Sequence, residues 1–192
     1  SSWNSRALWT HKGLAGLSLQ NNSLTRLSDV GEIYMPSLTF LQLGDNNMTI
    51  DVDINTEAFP TLLDLWINGN TIETFPSEDL KFYLAHLAIA RCGLRSLPSY
   101  LASFASLQYL DARDNYLTSI DGDLKKVIVD QRVEAYFSGN DALCKSDQSL
   151  DCTPLCSKTC WSRKAASNKL CDVGCNSQEC SNDGGECNVE SL

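Results

Sequence analysis

Histidine is scarce in this chain: His11 and His86 are the only two among 192 residues. There is no Gly-x-Ser-x-Gly turn and no glycine-rich phosphate loop. The usual acid–base and nucleophilic arrangements therefore have few residues to draw on. Basic residues are also in the minority, 15 against 24 acidic ones, for a formal charge of -9. Such a surface repels phosphate backbones, which argues against nucleic acid as a partner. No run approaches the roughly 18 apolar residues of a membrane span. The polar start, Ser1 to Lys12, lacks the apolar stretch of a signal peptide, so the chain is expected to be a processed product. At 43% hydrophobic residues it has enough apolar material for a core.

Cysteine is nearly absent from the first three quarters, where Cys92 stands alone, and abundant afterwards. Cys144, Cys152, Cys156, Cys160, Cys171, Cys175, Cys180 and Cys187 crowd the end. Eight cysteines in a segment poor in aliphatic residues fit a small extracellular module braced by disulfides. Zinc is the competing reading. It is disfavoured because this tail has no histidine and no paired C-x-x-C. Two sequons, Asn21-Asn22-Ser23 and Asn47-Met48-Thr49, are compatible with secretion and mark Asn21 and Asn47 as glycosylation candidates.

One pattern recurs along the rest of the chain. Leu14, Leu17, Leu19, Asn22 and Leu24 set it, and Leu38, Leu41, Leu43, Asn46 and Met48 repeat it. Leu62, Leu65, Ile67, Asn70 and Ile72 follow, and then Leu84, Leu87, Ile89, Cys92 and Leu94. The fifth copy is Leu107, Leu110, Ala112, Asn115 and Leu117; a degenerate sixth keeps Ala135, Phe137 and Asn140 but has Arg132 in place of the first leucine. The positions 22, 46, 70, 92, 115 and 140 lie 24, 24, 22, 23 and 25 residues apart. A repeat of this length is a solenoid signature. Alternate residues of each short strand point inward and merge into one apolar column, while the asparagine bonds backbone groups that the bend leaves unpaired. Cys92 takes the asparagine slot and reads as a buried structural thiol.

Over roughly residues 8–143 this pattern resembles the leucine-rich-repeat family. The resemblance implies an α/β solenoid of about six repeats with a parallel concave sheet. Leu94, Leu97, Pro98, Leu101, Phe104 and Leu107 carry a three-residue apolar spacing, so helical or 3₁₀ turns are expected there. The segments from Leu24 to Leu38 and from Met48 to Leu62 are expected to be irregular. Trp3, Leu8 and Trp9 are the candidates for covering the first repeat; the cysteine-rich cap that many secreted relatives carry is absent.

From Cys156 the spacing is Cys156-x3-Cys160-x10-Cys171-x3-Cys175-x4-Cys180-x6-Cys187, with Asp183-Gly184-Gly185 near its end. This is similar to the Notch-type repeat, a small disulfide-rich, calcium-binding module. Spacing alone leaves 105 pairings of eight cysteines open. The resemblance implies Cys156–Cys180, Cys160–Cys175 and Cys171–Cys187, with Cys144–Cys152 as a separate bridge. It also implies a calcium ion held by Asn168, Leu170, Asp172, Asp183 and Glu186, all through oxygen. Ala165 stands where a carboxylate is common, Glu186 where aspartate is usual, and Asn182 where an aromatic is usual. The expected organisation is a repeat domain at 1–143, a disulfide-tied cap at 144–155 and a Notch-type repeat at 156–188.

The strand residues that point outward nominate the binding surface. They include Phe40, Asp64, Trp66, His86, Tyr109, Asp111, Glu134 and Tyr136. Large aromatics on an exposed sheet face are the common anchors of protein interfaces. Phe40, Trp66, Tyr109 and Tyr136 are expected to form the patch, ringed by Asp64, Asp111, Asp114 and Glu134, which would suit a basic, partly apolar ligand. A paired-carboxylate hydrolase built on Asp64 and Asp111 would need a deep pocket that such a face does not offer. The expectation is a binding protein and not an enzyme: the monomeric ligand-recognition ectodomain of a receptor, on the extracellular side, that takes a protein or peptide. A free secreted inhibitor or effector is the alternative, and an adhesion protein a third reading; what the gene encodes after Leu192 distinguishes the first two.

Overall fold

The structure, a computed structural model, describes residues 10–26, 32–51, 53–130 and 133–153. The chain divides into two compact units, Ser1–Asp151 and Cys152–Leu192. In the first, each repeat contributes one three-residue strand: β1 (Gly16–Ser18), β2 (Phe40–Gln42), β4 (Asp64–Trp66), β6 (His86–Ala88), β7 (Tyr109–Asp111) and β8 (Glu134–Tyr136). They pair in that order, all parallel. The register places corresponding residues side by side: Leu17, Leu41, Leu65, Leu87, Leu110 and Ala135 form one inward row. This is the sheet that the leucine-rich-repeat resemblance implies. Leu38, Leu41, Leu43, Leu62, Leu65, Ile67, Leu84, Leu87 and Ile89 are wholly buried behind it. The first repeat is less covered, with Leu14 and Leu19 half-buried; Trp3, Leu8 and Trp9 lie outside the described residues.

The asparagine ladder is present in full detail. Asn115 donates from Nδ2 to the carbonyls of Ile89, Ala112 and Arg113 at 3.0–3.1 Å, while its Oδ1 accepts from Cys92 N and Leu94 N at 3.0 Å. Asn46, Asn70 and Asn140 repeat the arrangement, each reaching back into the preceding turn. Cys92 fills the same slot with a thiol that contacts the Ile67 and Ala90 carbonyls at 3.4 Å. Burial pushes its pKa up to about 11, which keeps it protonated and inert, as a structural thiol should be.

The residue before each ladder position turns the chain through the left-handed region: Asn21, Asp45, Gly69, Arg91, Asp114 and Gly139 all have φ between 52 and 78°. Asparagine, aspartate and glycine tolerate that conformation best. Gly139 is required twice over, since a Cβ there would also lie 3.0 Å from the Asp114 backbone.

Opposite the concave sheet, a 3₁₀ turn forms at Ser99–Ser103, within the segment where helical turns are expected, and another at Glu78–Phe82. The expectation of irregular structure from Met48 to Leu62 needs one correction. β3 (Thr49–Ile50) and β5 (Thr71–Ile72) pair as a second, two-stranded parallel sheet. Near the end, α1 (Gly122–Val129) is capped by the Asp121 carboxylate, which accepts from Asp123 N and Leu124 N, and buries Leu124 and Ile128. It packs against the 3₁₀ turn at Ser99–Ser103. α2 (Asp141–Ser146) follows and buries Leu143. No helix among the described residues is long and apolar enough to cross a membrane.

A second ladder runs down the flank before the strands. Ser37 Oγ donates to Lys12 O, Thr61 Oγ1 to Pro36 O, and Ser106 Oγ to Phe82 O, at 2.7, 3.1 and 2.8 Å. Each hydroxyl ties its turn to the one before. Tyr83 occupies the corresponding position in the fourth repeat and is exposed.

Candidate functional site

The strands present their alternate residues on one face, and the left-handed residue follows each strand end by three positions. On that face the side chains pack sideways against one another. The Trp66 and Tyr109 rings stack, with centroids 6.3 Å apart and planes 12° apart. Ala88, on the strand between them and 1% exposed, is small enough to let them approach across β6. Tyr136 continues the row at 5.9 Å from Tyr109, and the His86 ring meets Tyr109 edge-on at 6.2 Å. Phe40 sits at the other end of the sheet, with its ring 3.8 Å from where a side chain on Gly16 would begin.

This corrects the picture of a fully exposed aromatic patch. Tyr109 and Tyr136 point outward by strand parity, yet they are only 5% and 3% exposed, because neighbouring rings cover their sides. Burial also pushes the Tyr109 hydroxyl pKa well up. Phe40, Trp66, Asp64, His86 and Glu134 are half-buried. Ser18, which donates its hydroxyl to Gln42 Oε1 at 2.7 Å, extends the face into the first repeat as a polar edge.

The ring of free negative charge is corrected as well. Asp111 is 3% exposed and accepts two hydrogen bonds from the Arg113 side chain, at 2.8 Å from Nε and 2.7 Å from Nη2, and a third from the Arg113 backbone N at 3.2 Å. Burial alone would weaken the arginine's charge, but the Asp111 carboxylate more than offsets it and the guanidinium pKa is raised. Arg113 escaped the sequence reading, although a residue two positions on from Asp111 shares its face by parity. Asp64 is bonded to His86 Nδ1, and the Tyr136 hydroxyl donates to Glu134 Oε1. Asp114 is exposed at a left-handed turn and not part of the strand face. Asp64 and Asp111, the one carboxylate pair considered for hydrolysis, are thus each held by a cationic or ionisable partner on their own side.

Of the cysteines, Cys92 is free and buried, while Cys144 and Cys152 are both disulfide-bonded. Asn21 and Asn47 are exposed. Asn168, Leu170, Asp172, Asp183 and Glu186, proposed for calcium, lie outside the described residues, as do Cys156, Cys160, Cys171, Cys175, Cys180 and Cys187.

Residues 150–188 match the family model described as the LNR domain of Notch. The match begins at 150, ahead of the Cys156 start read from spacing. A disease resistance protein of Arabidopsis thaliana is 34% identical over 118 residues, which covers 59% of this chain. The chain spans only 12% of that protein's length. The protein is therefore a mixed α/β chain, with a six-stranded parallel repeat sheet followed by a Notch-type LNR module.

Proposed function

We propose that this chain is an extracellular binding module, the ligand-recognition ectodomain of a cell-surface receptor, which holds a protein or peptide against its concave sheet and catalyses no reaction. The observation that carries the reading is the aromatic row of Trp66, Tyr109 and Tyr136, already stacked in the unbound chain. Rings fixed by their neighbours lose little rotational freedom on binding, so more of the contact energy appears as affinity. Trp66 and Phe40 supply the accessible apolar edges, and His86, Asp64, Gln42 and Ser18 supply polar contacts around them. Because Asp111 is neutralised within the sheet, the partner surface is apolar with modest positive charge and not strongly basic. The role named for the Arabidopsis relative, disease resistance, is in keeping with recognition. Extracellular placement is supported by the clustered cysteines, two of which are seen in disulfides.

Affinity capture from extracellular extract tests this. A Trp66→Ala variant, matched to the unaltered chain by its melting profile, is expected to recover the specific partner at least about tenfold less well, the loss typical of an interface anchor. A Phe82→Ala change on an exposed side chain away from the strands should recover it normally. Equal recovery by Trp66→Ala would defeat the proposal.

Modules of the Notch LNR type bind calcium as a rule. We extend that to this one, through the oxygen donors of Asn168, Leu170, Asp172, Asp183 and Glu186. Chelation is expected to lower the melting temperature of the module with its disulfides intact, and restored calcium to reverse the change. A transition indifferent to chelator would contradict it.

A further inference from the structure

Behind the strand face, where the chain leaves the asparagine ladder, an open groove of about 450 Å³ crosses several repeats. Asn47 stands at its second-repeat end and Tyr116 at its fifth-repeat end, in corresponding positions one residue after the ladder asparagines Asn46 and Asn115. Between them the lining includes Thr71, an exposed residue, and Gly93, where an added Cβ would meet nothing within 4 Å. One wall is a fixed bar: Arg91 Nη2 reaches across the third repeat to Asp45 Oδ1 at 2.6 Å. Gly69 lies beneath this bar, and a Cβ there would come within 2.3 Å of the same Asp45 oxygen. Tyr116 is 68% exposed, an aromatic ring left open to water at the end of a polar channel.

These are the features of a carbohydrate seat, with an aromatic platform for the apolar face of a sugar ring and planar polar groups beside it. The groove also holds an attachment point. Asn47 is exposed, has φ 55°, makes no side-chain hydrogen bond among the described residues, and begins the sequon Asn47-Met48-Thr49. We infer that Asn47 is N-glycosylated and that its glycan lies along this groove, over Thr71 and Gly93, with a sugar ring against Tyr116. In the transfer, the Asn47 carboxamide nitrogen forms a bond to the anomeric carbon of an oligosaccharide carried on a lipid pyrophosphate. The bond from that carbon to the phosphate oxygen breaks, the nitrogen gives up one proton, and the lipid pyrophosphate leaves. Nothing is oxidised or reduced. The glycan then bridges repeats two to five and adds a covalently anchored contact to a stack held together mainly between neighbouring turns. It also directs any partner away from this flank and toward the strand face. The inference rests on the extracellular part of the proposed function, because only a secreted chain meets the transferase.

The test uses the full chain secreted from a eukaryotic host, with glycan occupancy mapped at Asn21 and Asn47 by mass spectrometry. Occupancy at Asn47 is expected. Modification at Asn21 alone would overturn the inference while leaving secretion intact; modification at neither would overturn it and remove a support of the extracellular reading. The seat is tested in a Ser23→Ala background, which deletes the other sequon. Trimming the glycan to its first sugar is expected to lower Tm by about 2–4 °C. In a Tyr116→Ala variant the same trimming should change nothing. An equal response in both chains would overturn the groove assignment, as would no response in either.

Discussion

An Asn115→Ala variant is expected to lose about 3–5 kcal/mol of folding stability. The side chain is 3% exposed and no water can replace it cheaply. Its removal strands the amides of Cys92 and Leu94 and takes the side-chain donor from the carbonyls of Ile89, Ala112 and Arg113. Each buried polar group left without a partner costs about 1–3 kcal/mol. Because the bonds run backward into the fourth repeat, the loss falls on the interface between turns, where a solenoid is held together. Asn22 supplies the control. It occupies the same position in the first repeat but is exposed, and donates only to Leu19 and Gln20 within its own turn. Asn22→Ala should cost under about 1 kcal/mol. Urea midpoints for the two variants decide the matter, and similar losses would mean that the ladder is not what joins the turns.

Arg113→Met should be as damaging, again by about 3–5 kcal/mol, for an electrostatic reason. Asp111 would remain inside the sheet face as a buried charge without a countercharge, having lost both side-chain hydrogen bonds of a bidentate pair while keeping the one from the backbone N of residue 113. The double variant Asp111→Leu, Arg113→Met removes the charge together with its partner. It is expected to recover most of the loss, since replacing a buried ion pair by apolar side chains of similar size is often nearly neutral. A double variant no better than Arg113→Met would show that the damage comes from packing and not from the orphaned charge.

The strands, their parallel register and the ladder were all readable from six copies of one pattern, because periodicity reports which side of the backbone a residue occupies. Periodicity says nothing of what lies beside it. Tyr109 and Tyr136 have the parity of exposed residues, and only the small Ala88 and the orientation of Trp66 reveal that the rings cover one another. Asp111 looked like surface charge until Arg113 was placed next to it. β3 and β5 are two residues each, too short to show a period. The hydroxyl ladder of Ser37, Thr61 and Ser106 is spread over residue types that suit any loop. α1 carried a legible signal in Asp121 followed by Leu124, Val127 and Ile128, a cap with helical spacing, but it was overshadowed by the missing leucine of the sixth repeat.

Inward leucines and the ladder make the scaffold, and on the opposite side of the same strands Trp66 and Phe40 keep accessible edges, the surface proposed for contact. Oxidative footprinting of the purified chain, alone and bound to its captured partner, measures that contact most directly. Binding through the concave face predicts that Trp66 and Phe40 lose reactivity in the complex, while Phe82 and Tyr83 react as before. Protection confined to Phe82 and Tyr83, with Trp66 and Phe40 unchanged, would contradict it.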